Sequence, residues 1–272
     1  MPLLVPSFIR ALGQIRASFE ANGTRTQLAR AYESGGWRLR YPRVTLGCEA
    51  VIINTGGGMA GGDKASLVFE AGCGSNVTLT TAAAEKIYPA QEAETGLALA
   101  LNLDAGARLE WLPQETILFD GAKLTRRLTV DMAADASLLL VESTIFGRLA
   151  KGETCISGAL HESWRVRRAS KLVFAEETRV EGGLGALLDR PAIGDGARSA
   201  GVILFIASEA EAELDALRTV LAAFSNRVEY GASARNGVLV VRLLSASPEA
   251  SRAAILAGLA QLRDRAAPRV WQ

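Results

Sequence analysis

The chain has 272 residues, with 30 lysines and arginines against 29 aspartates and glutamates and a net charge of +1. That balance leaves no basic excess for nucleic acid and no acidic solvating tail, and although 49% of the residues are hydrophobic, no uninterrupted apolar stretch is long enough to span a bilayer. Three scattered cysteines, Cys48, Cys73 and Cys155, are an odd set that suits no disulfide framework and points to a reducing cytoplasm, with part of the apolar surface expected to be covered by a partner. The opening MPLLVPSFIR has no basic leader and is broken by Pro2 and Pro6, so no secretory signal is expected. From about residue 43 to 180 short strands alternate with tight turns: VTLGCEAVII, KASLVFEAG, NVTLTT, LALALNLDAG, RLEWLP, ETILFDG, LTRRLTVDM and SLLLVES. Leu67 and Phe69 face one way and Ser66 and Glu70 the other, the period of a half-buried strand.

One phrase recurs. LVFEAGCGSNVTL, LNLDAGARLEW and LTVDMAADASLLL each carry a strand, an acid (Glu70, Asp104, Asp131), a turn of small residues and another strand. The acids lie roughly 27 to 34 residues apart, the spacing of repeated structural units. Residues 1–200 therefore read as a mainly β body of layered or coiled strands, with a plain sandwich as the rival. Residues 201–272 read as an α/β portion packed on that body. There VILFIA is a buried strand, and SEAEAELDALRTVLAAF is a helix started by a capping box at Ser208 and Glu211. VEYGASARNGVLVVRLL is a hairpin turning at Asn236-Gly237. SPEASRAAILAGLAQLRDR is a second helix, with Pro248 in its first turn and Ile255, Leu259 and Leu262 on its apolar face.

NTGGGMAGGDK, residues 54–64, holds five glycines in eleven positions and spells G-x-G-x-x-G at Gly56, Gly58 and Gly61. A dinucleotide site needs a helix to open within the loop, yet DKASLVFEAG alternates like a strand. As a P-loop it puts Asp63 where lysine is required, and Ala65 rather than serine or threonine follows Lys64. Glycine here serves a strand-to-strand crossing or a protein-facing surface.

His161 is the only histidine and sits in GALHESWRVRR, an ordinary strand face without a nucleophile motif. No C-x-x-C and no histidine pair is present, so a tight zinc or nickel cage is not expected. Among the carboxylates, Glu142 shares a strand face with Leu138 and Leu140, and Arg148 and Glu153 follow in FGRLAKGE. Glu142 is either a solvated strand end or part of an internal polar patch in which Arg148 offsets Glu142 and Glu153. Asp63 and Glu110 either join the patch or are exposed acids. Lys86 and Tyr88 in EKIYPA share a face if extended. Trp111, Pro113, Ile117 and Phe119 are core or the rim of a docking surface.

NTGGGMAGGDK, LTTAAAEKIYPA, ARLEWLPQETILFDGA and VESTIFGRLAKGE, in this order, resemble the urease accessory proteins of the UreD (UreH) type. The likeness covers roughly residues 20 to 180 and weakens in the C-terminal third. Trp37 and Pro89 depart from it, standing where the family tends to have proline and arginine. The resemblance implies a β-helix-like body with helices near the C-terminus. It also implies a cytoplasmic, non-enzymatic scaffold with no tightly bound cofactor, no nucleic acid and no membrane. Its partners are a UreF-type accessory protein, a UreG-type GTPase and apo-urease, into which nickel is inserted. An internal water-filled passage is proposed for the family. In this sequence Asp63, Glu142 and Glu153 are the candidate path for nickel in transit, and Lys86, Tyr88 and Arg148 belong to a partner-facing or internal polar patch. The competing reading is a β-helical carbohydrate-active enzyme using Glu142 with Glu153 or Asp63. Against it, only 6% of the residues are aromatic, and no platform for sugar rings stands beside the acids.

Overall fold

The computed structural model describes residues 10–153 and 155–272. Residues 1–9, the stretch in which no leader is expected, and residue 154 lie outside that description. A hairpin of β1 (Leu12–Asn22) and β2 (Arg25–Ser34) closes one edge of a first sheet, and β3 (Trp37–Arg40) with β4 (Cys48–Asn54) closes one edge of a second. Between those edges the chain winds. Strands β5 (Lys64–Ala71), β8 (Thr95–Leu103), β11 (Lys123–Met132) and β13 (Gly158–Arg168) stack in parallel in the first sheet. In the second sheet β4, β6 (Asn76–Thr81), β9 (Arg108–Leu112) and β12 (Ser137–Phe146) do the same. Each turn of the coil lays one strand in each sheet. A short third wall is made by β7 (Glu85–Ile87), β10 (Thr116–Leu118) and the far end of β12. The body is thus a β-solenoid capped by antiparallel strands.

Register shows what the sequence repeat tracks. Leu67 lies beside Leu99, Leu99 beside Leu128 and Leu128 beside Trp164 in the first sheet, and Leu79, Trp111 and Leu140 line up in the second. These rows are the interior ladder of the solenoid, buried between the sheets together with Phe19, Phe69 and Leu101. The acid is not the marker it resembles: Glu70 and Asp131 are both in register with Asn102, while Asp104 sits beyond the strand in the turn. Burial on a common face fixes register, whereas an exposed acid drifts along the turn at little cost.

After β14 (Lys171–Gly182) and a short helix α1 (Leu184–Leu188), strand β15 (Ser199–Ile206) pairs antiparallel with β12. β17 (Val238–Ser245) and β16 (Glu229–Arg235) extend the second sheet outward. Helices α2 (Leu214–Ala222) and α3 (Pro248–Leu262) cover that extension. β12 is consequently buried on both faces. Leu138 and Leu140 point into the solenoid, and Leu139 and Val141 point into a second core with Ile203, Leu217, Leu239, Ile255 and Trp271. That explains a continuous apolar run where a half-exposed strand would alternate. Among the described residues three α-helices stand where the sequence predicts two, because the five-residue α1 is too short to leave a periodic signal.

The hairpin turns at Asn236 and Gly237, both at positive φ (54° and 73°), as a tight two-residue turn demands. Helix α3 starts as expected: Ser247 caps it, its hydroxyl accepting the Ala250 N–H at 3.2 Å, with Pro248 at the first position. The capping box at Ser208 and Glu211 does not form. Helix α2 begins only at Leu214, because the Glu211 carboxylate accepts the N–H of Gly237 at 2.9 Å and the Ser208 hydroxyl turns to Glu209. A tertiary bond to the hairpin outcompetes the local cap.

Candidate functional site

The glycine loop joins β4 to β5, and a strand follows it, so no helix amino end faces it. Met59 exchanges backbone bonds with β7 and its neighbour, its N–H donating to the Lys86 carbonyl and its carbonyl accepting from Tyr88, both at 2.8 Å. The loop is therefore one more rung of the third wall. Gly58 has φ of 154°, and a Cβ there would come within 2.5 Å of the Tyr88 ring and 2.8 Å of the Lys86 carbonyl. Close chain approach, not phosphate, accounts for this glycine. Asp63 holds the loop's exit: its two carboxylate oxygens accept the N–H groups of Ala11 and Ala60, each at 2.8 Å.

Glu85 opens the third wall. Its carboxylate accepts a hydrogen bond from the Asn54 amide at 2.9 Å, and that amide also donates to the Gly58 carbonyl at 3.2 Å. Burial with only this neutral donor and the Lys86 charge to offset it pushes the Glu85 carboxyl up to about 7. Its inward position is not legible in the sequence, since nothing in EKIYPA marks which of the adjacent Glu85 and Lys86 turns inward. A cavity of about 90 Å³ lies beside it, also lined by Asn54, Gly57, Gly58 and Trp37.

Glu142 is no solvated strand end. It is 5% exposed, faces the solenoid interior and accepts the Trp111 indole N–H at 2.8 Å. Its cationic partner is not Arg148 but Arg126, 3% exposed, which donates to Glu142 at 2.5 Å. The same guanidinium bonds Glu162 through Nε at 2.5 Å, the Thr116 hydroxyl at 3.0 Å and the Thr144 hydroxyl at 3.4 Å. Thr116 and Thr144 are adjacent rungs of the third wall, and Glu162 lies beside Arg126 in register on β13. Burial lifts the Glu142 carboxyl above its usual range, Arg126 draws it back, and Glu162 pushes the same way as burial. Burial also opposes the Arg126 charge, but the two carboxylates outweigh it and hold the guanidinium protonated. The signal for Arg126 was in the strand itself: Leu124, Leu128, Val130 and Met132 fix the inward face of β11, and Arg126 falls on it.

Arg148 and Glu153 lie elsewhere, on the surface. Arg148 donates to Glu153 through Nε at 3.0 Å and stacks 4.5 Å above the Phe119 ring, which meets Tyr88 edge to face at 5.1 Å. The bond from Arg148 holds the Glu153 carboxyl below the usual range. Tyr88 in turn donates to the Gly57 carbonyl at 3.2 Å, so Tyr88, Phe119, Arg148 and Glu153 form one patch beside the glycine loop, and the exposed Lys86 stands on the adjoining strand. Among the described residues no hydrogen bond or ion pair joins Asp63, Glu142 and Glu153, and each has partners of its own. The two-carboxylate enzyme reading loses its pair for the same reason: Glu142 is buried against Arg126, and Glu153 is at the surface against Arg148.

A second buried ion-pair network fastens the C-terminal segment. Glu110 accepts from Arg263 at 2.9 and 2.8 Å and from Arg265 at 3.1 Å, and the Thr78 hydroxyl donates to it at 2.6 Å. Burial works against the Glu110 charge, but Arg263 and Arg265 outweigh it and hold the carboxyl below its usual range. His161 faces Glu181 on the neighbouring β14, with Arg179 bonded to the same carboxylate. Among the described residues, no group of three or more histidine, cysteine, aspartate or glutamate side chains converges as a metal cage, and no helix is long and apolar enough to cross a membrane.

Residues 11–272 match the model of the family described as UreD urease accessory protein, so the likeness reaches through the C-terminal third as well. The chain is 51% identical over 262 residues to the urease accessory protein UreD of Beijerinckia indica subsp. indica, covering 96% of this chain and 97% of that protein. It is 45% identical to the urease accessory protein UreD of Xanthobacter autotrophicus, over 96% of this chain and 90% of that one. Against the protein of the same name from Methylobacterium sp. identity is 46%, over 94% and 92%.

Proposed function

The chain belongs to the UreD urease accessory protein family, and from that premise we propose that it acts in urease maturation as a scaffold without catalytic chemistry of its own. In this reading it binds a UreF-type accessory protein, through it a UreG-type GTPase, and apo-urease, and so supports nickel insertion in the cytoplasm. The observation that carries the proposal is the family match over nearly the whole chain. The geometry is consistent with it. Glu142 and Glu153 are each paired with an arginine, and Asp63 is held by two backbone amides. Apolar side chains stand exposed at Leu12, Tyr32, Leu46, Ile156 and Leu172, where a partner would cover them. Nickel enters this account as cargo. Asp63 would keep the glycine loop in place, Glu142 would belong to the interior polar path, and Lys86, Tyr88, Arg148 and Glu153 would offer a mixed aromatic and charged surface to a partner.

The test is co-expression with UreF-type and UreG-type proteins and apo-urease, reading what copurifies and whether urease is activated at limiting nickel. Copurification together with nickel-dependent activation is expected. A chain that captures none of these partners, in a system where they otherwise assemble, would refute the scaffold.

A further inference from the structure

The second sheet's extension is covered by α2 and α3, but among the described residues no helix lies on the outer face of the first sheet. Ser66, Ala98, Arg127 and Thr129 stand exposed along its middle strands. We propose that a second copy of this chain covers that face, sheet against sheet, about a twofold axis that lies between the two sheets and runs across the strands.

Two properties of the face point to a second copy. The first is how charge runs along the strands. Lys64 and Glu70 stand at the two ends of the outward row of β5. Arg127 and Asp131 lie on the outward row of β11, with Asp131 and Glu70 both in register with Asn102. All four side chains are exposed, and among the described residues none has a hydrogen-bond or ion-pair partner within the chain. A twofold axis across the strands reverses their direction from one copy to the other. Lys64 then meets Glu70 of the second copy, and Glu70 meets Lys64 of the second copy, as an isologous contact requires. Arg127 lands over Thr129 of the second copy, with Asp131 of the second copy next along the same strand. On β5, β8 and β11 no like charges face each other.

The second property is shape. A groove of about 800 Å³ occupies only the Lys64 half of the face: Ser66, Ala98 and Arg127 line it, whereas the next outward residues, Val68, Ala100 and Thr129, do not. The same axis lays the ungrooved half of each copy over the groove of the other, so that Glu70 enters it and two hollows do not meet. Leu12 and Tyr32, 64% and 54% exposed, belong to this face and would lose water on docking. Seven strands at about 4.8 Å spacing and an outward row of about 20 Å give roughly 1,200 Å² buried over the two copies, near the lower bound of a specific interface. A reversible dimer follows, not an obligate one.

Sedimentation equilibrium of the full chain from about 1 to 100 µM tests this, with a monomer–dimer dissociation constant on the order of 10 µM expected. Raising NaCl to about 1 M should weaken the dimer. Lys64→Glu sets like charges against each other twice per dimer and should weaken association about tenfold or more, and Glu70→Lys should do the same. Combining the two restores opposite charges across the axis, so the double variant should return to within about threefold of the unsubstituted chain. Ala98→Arg fills the groove and should weaken the dimer whatever the charges around it. These side chains are exposed, so melts followed by circular dichroism should match those of the unsubstituted chain. A chain that stays monomeric at about 100 µM overturns the proposal, as does a mass that climbs beyond two copies, because a twofold contact closes. So do single reversals or Ala98→Arg that leave the equilibrium unchanged, or a double reversal that fails to recover it. The readout is the mass of the chain by itself, so its failure leaves the partner and urease activation results standing, and theirs leaves the dimer intact.

Discussion

Replacing Glu85 by glutamine keeps the shape of the side chain and its acceptor for the Asn54 amide while removing a charge that the structure barely compensates. The Glu85 carboxyl is moved from an ordinary 4.5 to about 7, chiefly by burial. The folded chain therefore holds this proton over a pH interval in which the unfolded chain has released it. Stability is undiminished below about 4.5, declines as pH rises toward 7, and carries the full penalty above that. At about 1.4 kcal/mol for each tenfold change in proton affinity, ionising Glu85 in place costs about 3 kcal/mol at pH 8. Glu85→Gln does not pay that penalty. Its Tm should exceed that of the unsubstituted chain by about 6 °C or more at pH 8, and the gap should close toward pH 5. Thermal melts of both chains followed by circular dichroism from pH 5 to 8.5 measure this. The charged neighbour Lys86 works in the opposite sense to burial and is present in both chains. A gap that is independent of pH, or a glutamine variant less stable than its parent at pH 8, would refute the reasoning.

Gly58→Val places a branched side chain against the Tyr88 ring and the Lys86 carbonyl at positive φ, so it should lower Tm sharply or prevent folding, whereas Gly57→Ala, whose Cβ meets nothing within 4 Å, should cost only about 1 kcal/mol of backbone strain. Arg263→Ala leaves Glu110 buried with Arg265 as its remaining cationic partner, and chemical denaturation should show a loss of about 3 kcal/mol. Arg148→Ala removes an exposed ion pair and a ring contact, so Tm should move by less than about 2 °C. Capture of a UreF-type partner should weaken if the Tyr88 patch is the surface it uses.

Much of the architecture was readable in the chain because it rests on local rules. Alternation in β5, the Asn236-Gly237 turn, Pro248 after a capping serine and the absence of a helix after the glycine loop each follow from a few neighbouring residues. So did the recurrence of a strand–turn–strand unit, since each coil of a solenoid must bury the same rows. The partners of the charged groups were not readable. Arg148 is close to Glu142 in sequence, yet the strand end carries it to the surface, while Arg126 reaches Glu142 only because β11 and β12 face each other across the interior. The capping box failed for a related reason: Glu211 is drawn to the hairpin turn, whose proximity no local window contains. Local backbone preference and side-chain period fixed which segments are strands and which face is apolar. Which charges meet was decided by the winding of the coil, because a buried charge takes whichever counter-charge the packing brings within reach, however far apart the two lie in the chain.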